Sequence, residues 1–223
     1  MLPELVVSDL AGTLMLEEGA VADAYRFAFA AHDIDFTEED ILDRRGANKL
    51  GVFRDLAARS HSESDIERVA RSGLAMFQEE LERSYREQPV EPIPGADEAL
   101  RVLGETGIKL AVSSGFPRDL MLNLVERLGW SELFGTAVSG DDVPHGRPAP
   151  YIIFKAMMDL GVQDVRRVAV VGDTALDLEA GNRSGAAWVI GVLSGAHDLE
   201  TLGQVQHTHL LASVAGLPGM FGL

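Results

Sequence analysis

The chain opens with a short apolar, β-rich run over residues 5–8 that stops at Asp9 and passes into Ala11-Gly12-Thr13, the pattern of a strand leading into a turn. The pattern then changes. Over about 21–87, apolar positions recur at helical spacing among Ala, Leu, Glu and Arg, and no stretch alternates as a strand does. Thr37-Glu38-Glu39-Asp40 reads as a helix start with an acidic first turn, and Ser62-Glu63-Ser64-Asp65 opens a second acidic-fronted helix running toward Tyr85. A break follows at Gln88-Pro89-Val90-Glu91-Pro92-Ile93-Pro94-Gly95, where three prolines exclude a helix interior and mark a linker. Beyond it, strand patterns at 110–113, 137–138 (weak), 168–171 and 187–192 alternate with helical patterns at 117–128, 150–160 and 176–183. Alternation of this kind predicts a parallel sheet with helices on both faces. The fold class is therefore α/β: a doubly wound, Rossmann-like parallel-sheet core from 1–17 and 88–223, with an inserted helical domain at 18–87. Asp9, Ser113 and Asp173 stand at or just past the carboxyl ends of predicted strands, where open α/β sheets bind ligands. The insert is expected to cap that site and to hinge at 16–19 and 89–94.

Charge narrows the partners. Acidic residues outnumber basic ones 35 to 19, a net charge of −16, so nucleic acid and an anionic membrane surface are poor partner classes. A small anionic substrate stays compatible if local cations or a metal meet it. With no cysteine there is no disulfide framework, thiolate metal site or Cys nucleophile. The start MLPELVVSDL lacks the basic and long apolar segments of a signal peptide, and no apolar run approaches a membrane span. The expectation is a cytoplasmic protein.

Four pieces carry candidate chemistry: Asp9-Leu10-Ala11-Gly12-Thr13, Ser113-Ser114-Gly115, Gly146-Arg147-Pro148, and Gly172-Asp173-Thr174 with Asp177 one helical turn on. In this set and order the chain resembles the haloacid dehalogenase superfamily over almost its whole length. That superfamily consists mostly of phosphotransferring hydrolases with an aspartate nucleophile. Within it, the stretches Asp9 to Thr13, Asp141-Asp142-Val143-Pro144-His145-Gly146-Arg147-Pro148 and Val171-Gly172-Asp173-Thr174 are most similar to phosphonatase, the phosphonoacetaldehyde hydrolase. The resemblance implies Asp9 as nucleophile, with Asp9, Asp173 and the Ala11 carbonyl as ligands of Mg²⁺. It also implies that Leu10, Gly12, Thr13, Ser113, Ser114, Gly115 and Arg147 surround the phosphoryl group. These residue types suit the task. Two carboxylates at adjacent strand ends form a site for a hard cation, which offsets repulsion between a carboxylate and an anionic substrate. Backbone N–H groups from Leu10 to Gly12 can cradle an oxyanion, Ser113 can donate to it, and the Arg147 fork suits it. Asp177 would orient Arg147 or hold metal-bound water.

Plainer roles stand beside these. Asp173 and Asp177 could merely cap a helix, Ser113 could bond backbone, and Arg147 could pair with Asp141 or Asp142. Surface or turn roles are the default for all six histidines, which show no metal-ligand spacing.

Most phosphatases of the superfamily carry a second aspartate two residues after the nucleophile, which protonates the leaving group; here that position is Ala11. Losing a general acid costs ~10²–10⁴ in rate. Phosphonatase shares the alanine because a lysine from its cap forms a Schiff base with the substrate aldehyde, and the imine takes the electrons when the C–P bond breaks. It places that lysine three residues after a glycine, as Gly46-Ala47-Asn48-Lys49 does here. An amine reacts only when neutral, and a free lysine has pKa ~10.4, so this role requires a desolvated place. The competing reading of Lys49 is a solvated side chain near a helix start. Departures point to the phosphonatase-like subgroup: Val52 stands for a histidine, Phe116 for a tyrosine and Ala20 for a cysteine. The leading function is thus Mg²⁺-dependent cleavage of a small phosphonate, phosphonoacetaldehyde or a relative, through an aspartyl-phosphate, and the resemblance implies a homodimer paired through the cap. The alternatives are a phosphomonoesterase in which Lys49 only binds charge, and a non-catalytic phosphate sensor on the same scaffold.

Overall fold

A computed structural model describes residues 2–223, which divide into two units. One unit runs to Leu16 and resumes over Val90–Leu223; the other is Glu17–Pro89. Strand β1 (Leu5–Asp9) begins the first unit. Helices α1 (Ala20–Ala31), α2 (Glu38–Asp43), α3 (Lys49–Ser60) and α4 (Glu63–Glu87) build the second. The first then continues with α5 (Ala96–Glu105), β2 (Lys109–Ser114), α6 (Arg118–Arg127), β3 (Thr136–Ser139) and α7 (Tyr151–Leu160). It ends with β4 (Val168–Gly172), α8 (Ala175–Ser184), β5 (Trp188–Val192), α9 (Leu199–Gly203), β6 (His209–Leu211) and α10 (Leu217–Phe221).

The six strands lie in the order β3-β2-β1-β4-β5-β6, and every pair is parallel. All residues of β1 and β4 are buried, as strands covered on both faces must be. Leu5, Val7, Val168 and Val170 face one way and pack on Ile152, Ile153, Ala156 and Met157 of α7 and on Ala180 of α8. The strand order reverses between β1 and β4, which puts the carboxyl ends of those two strands at the topological switch point where doubly wound sheets bind ligands.

Some elements lie where none is predicted. Helix α5 follows at once on the proline-rich stretch, although its buried Ala96, Ala99, Leu100 and Leu103 have helical spacing. Strand β6 is a three-residue edge strand containing a histidine, too short and polar to register as a pattern. The prolines do not make a free hinge throughout 89–94. Leu16 N–H donates to Glu91 O (2.9 Å) and Ile93 N–H to Leu14 O (2.8 Å), so the outgoing and returning chain are bonded there.

In the inserted unit, Tyr25, Phe29, Phe53 and Phe77 are fully buried and form a cluster with ring centroids 4.5–6.0 Å apart. Gly73 makes room for it, since a Cβ there would lie 2.8 Å from the Phe53 ring. Thr37 and Asp40 form a reciprocal capping box at the start of α2, and the Asn48 side chain caps α3 by accepting from Gly51 N–H (2.9 Å). No helix among the described residues is long and apolar enough to cross a membrane.

Candidate active site

The carboxyl ends of β1, β2 and β4 deliver Asp9, Ser113 and Asp173, all buried. Arg147, from the segment between β3 and α7, is buried with them, as are Thr13 and Asp177. Arg147 Nη1 donates to Asp9 Oδ1 (2.6 Å) and to Asp177 Oδ1. It does not pair with Asp141 or Asp142, which are taken by Arg118 through its backbone N–H (3.2 Å) and its guanidinium (2.6 Å) respectively. Arg147 Nε is buried with no hydrogen-bond partner among the described residues, a state in which proteins seldom leave a donor. Asp177 does two things at once. It closes the capping box of α8 with Thr174, whose Oγ1 donates to its Oδ2 (2.5 Å), and it holds Arg147.

Asp173 is oriented by donors on both oxygens. Thr13 Oγ1 donates to Oδ1 (2.8 Å) and Ala196 N–H to Oδ2 (2.8 Å). Gly12 packs against the same carboxylate at φ 90°, and a Cβ there would lie 2.5 Å from Asp173 Oδ2, so both backbone and space demand glycine.

Several residues expected around a phosphoryl group have protein partners instead. Thr13 serves Asp173, and the Gly12 N–H expected in the oxyanion cradle donates to Met15 O (2.8 Å). Ser113 Oγ donates to Ser8 O (3.3 Å). Ser114 Oγ accepts from Phe116 N–H (3.1 Å) and shapes the turn that contains Gly115. Leu10 is buried and its carbonyl accepts from Leu14 and Met15 N–H (both 2.9 Å).

Electrostatics favour a cation here. Burial, then Asp177 and Asp173, push the Asp9 carboxyl up to about 8 against the pull of Arg147. Burial and Asp177 likewise raise Asp173, opposed by its bonds from Ala196 and Thr13. Three buried carboxylates face one guanidinium, and ionised together they leave two negative charges in excess, which a divalent ion would balance. No cluster of three His, Asp or Glu side chains set to hold a metal occurs among the described residues. An ion would rest on two carboxylates, Asp9 and Asp173, with the Ala11 carbonyl and water, a set that suits Mg²⁺.

Two residues depart from their plainer roles. His197 is buried, not at the surface, and its Nδ1 accepts from Ala175 N–H (3.0 Å), the first residue of α8. No motif in the sequence marks this loop; its neighbourhood to Asp173 arises through backbone amides, which leave no compositional trace. In the inserted unit, Lys49 opens α3 directly after its cap yet is buried rather than solvated. Its Nζ lies 5.4 Å from the centroid of the Tyr25 ring, a cation–π placement. The Tyr25 hydroxyl is buried without a hydrogen-bond partner among the described residues, and Val52 and Ala20 are buried as well.

Residues 3–185 match the family model of haloacid dehalogenase-like hydrolases. A phosphonoacetaldehyde hydrolase of Bordetella pertussis is 34% identical over 209 residues, 85% of this chain and 72% of its own. One of Bacillus cereus is 29% identical over 211 residues, 88% of this chain and 78% of its own. Among solved structures, a phosphonoacetaldehyde hydrolase-like protein from Oleispira antarctica superposes with a TM-score of 0.80 at 21% identity, covering 99% of this chain and 91% of that one. At that identity the likeness speaks for the fold alone.

Proposed function

The chain belongs to the haloacid dehalogenase-like hydrolase family, and on that premise we propose that it cleaves the carbon–phosphorus bond of phosphonoacetaldehyde or a close relative. Asp9 is the nucleophile and Lys49 the amine that captures the aldehyde. The observation that carries this reading is that one chain has both Ala11, where a leaving-group acid would stand, and, in its inserted unit, a lysine buried against an aromatic face. The similarity to two phosphonoacetaldehyde hydrolases supports it.

Lys49 condenses with the aldehyde, losing water, to give an imine that is protonated. Asp9 attacks phosphorus in line, and the electron pair of the breaking C–P bond flows into the iminium, leaving an enamine on Lys49 and a phosphoryl group on Asp9. The departing carbon needs no acid two residues from the nucleophile, which is why alanine suffices there. Protonation of the enamine carbon and hydrolysis of the imine release acetaldehyde, and hydrolysis of the aspartyl-phosphate releases phosphate. Arg147, fixed between Asp9 and Asp177, supplies positive charge beside the phosphoryl oxygens, and its unpartnered Nε is a donor for one of them. A Mg²⁺ held by Asp9, Asp173 and the Ala11 carbonyl would neutralise the charge gathered there and polarise the phosphoryl oxygens.

Phosphate release from phosphonoacetaldehyde, measured beside release from an aryl phosphate at equal concentrations, tests the reading. Faster release from the phosphonate is the predicted result. Turnover of the ester with none of the phosphonate would make the protein a phosphomonoesterase in which Lys49 binds charge.

A further inference from the structure

The loop that follows β5 carries none of the four motifs, yet it is bonded to both sides of the site. Ser194 Oγ donates to Gly12 O (2.8 Å), on the turn after the nucleophile. Ala196 N–H donates to Asp173 Oδ2 (2.8 Å), and His197 N–H to the Asp173 carbonyl (3.2 Å). The imidazole of His197 then accepts from Ala175 N–H at the head of α8, two residues beyond Asp173. Gly195 fits flat against the carboxylate: a Cβ would lie 2.1 Å from Asp173 Oδ2 and 2.5 Å from its Cβ. The φ of Gly195 lies outside the left-handed region, so it is the space beside Asp173, and not the backbone, that requires glycine.

We propose that residues 194–197 are a clamp that fixes Asp173 relative to the nucleophile's turn and thereby sets the affinity for a divalent cation, with Gly195 and His197 as positioning residues. The clamp acts through four kinds of contact. It holds the Asp173 carboxylate by an amide, its carbonyl by a second amide, the following helix by an imidazole, and the Gly12 turn by a hydroxyl. Because Thr13 holds the other carboxylate oxygen, the side chain is gripped from both sides and keeps one orientation without help from an ion. Accepting from Ala175 N–H requires Nδ1 of His197 to be unprotonated, so the ring's proton sits on Nε2. A leucine would remove that acceptor and leave a half-buried donor unmet. An asparagine can present its Oδ1 near the same place.

The inference rests on the reading of Asp173 as a metal ligand, and its test separates the two. Metal-free protein is titrated with Mg²⁺ by calorimetry, and the rise in melting temperature on adding Mg²⁺ is followed in parallel. Gly195→Ala and His197→Leu should each weaken Mg²⁺ binding by roughly 10–100-fold, the usual effect of removing a contact that orients a metal ligand. Ser194→Ala should weaken it less, and His197→Asn should stay within a few-fold of the wild type. If Gly195→Ala does not fold, the His197 pair decides. Wild-type affinity in a folded His197→Leu variant, or equal loss in the Leu and Asn variants, would overturn the clamp. Absence of Mg²⁺ binding by the wild type would overturn the metal reading, and the clamp with it.

Discussion

Asp9, the proposed nucleophile, is buried at the expense of the fold. Its carboxyl is pushed up to about 8 from 3.8, chiefly by burial, so the folded chain holds that proton more tightly than the unfolded chain does. The sign follows from linkage: the stability contribution is fully present below about 3.8 and is lost as pH rises toward 8. Metal-free protein should therefore melt at lower temperature as pH rises across that window, and Asp9→Asn should flatten the slope. Melting curves of both proteins across that range check this; an unchanged slope in the variant would contradict it. The same substitution should lower turnover by ~10⁴ or more while leaving the circular dichroism spectrum intact. Asp9, Arg147, Asp173 and Asp177 entered as candidates through the four motifs, and all four are buried, Arg147 bonded to Asp9 and Asp177 and Asp173 held by Thr13 and Ala196. The actual partner of Thr13 and the loop at 194–197 were not legible. Their contributions come from a hydroxyl, amides and the absence of a Cβ, none of which a one-dimensional pattern displays.

At the scale of elements, caps and a buried aromatic cluster stabilise the insert. Asp40 gathers bonds from Thr37, Arg44 and Arg59, and Arg59 first, then Thr37, hold its carboxyl well below the usual range. Its stabilisation is present above the ordinary carboxylate pKa and is lost as pH falls through the depressed value. Asp40→Ala should cost about 1–2 kcal/mol at neutral pH, the worth of a cap plus a charged hydrogen bond, and the difference should shrink in acid. Denaturant unfolding at neutral and acid pH measures it. Glu38→Gln, which breaks only the exposed pair with Arg26, should leave stability almost unchanged and serves as control. The start of α2 was readable because Thr37 to Asp40 spells a cap in local chemistry. Helix α5 was passed over although its apolar spacing is regular, because three prolines immediately before it dominate the local reading.

For the whole molecule, the alternation of strand and helix patterns specified a parallel sheet, and the order of that sheet then explains why residues far apart in sequence form one site. Asp9 and Asp173 end neighbouring strands at the reversal of strand order, and Arg147 crosses 138 positions to reach Asp9. Edge strand β6 was invisible because three residues offer no periodicity. On the proposed reading Asp9 is the nucleophile, and alanine at position 11 goes together with a buried lysine at position 49. If those two belong to one mechanism, the aldehyde must become covalently attached to the lysine. Sodium borohydride added to the protein together with phosphonoacetaldehyde, followed by mass spectrometry of the digested chain, tests this directly. The account predicts irreversible inactivation and a reduced adduct on the peptide containing Lys49, with both the adduct and phosphate release absent in Lys49→Arg. No adduct, together with continued phosphate release by Lys49→Arg, would contradict it.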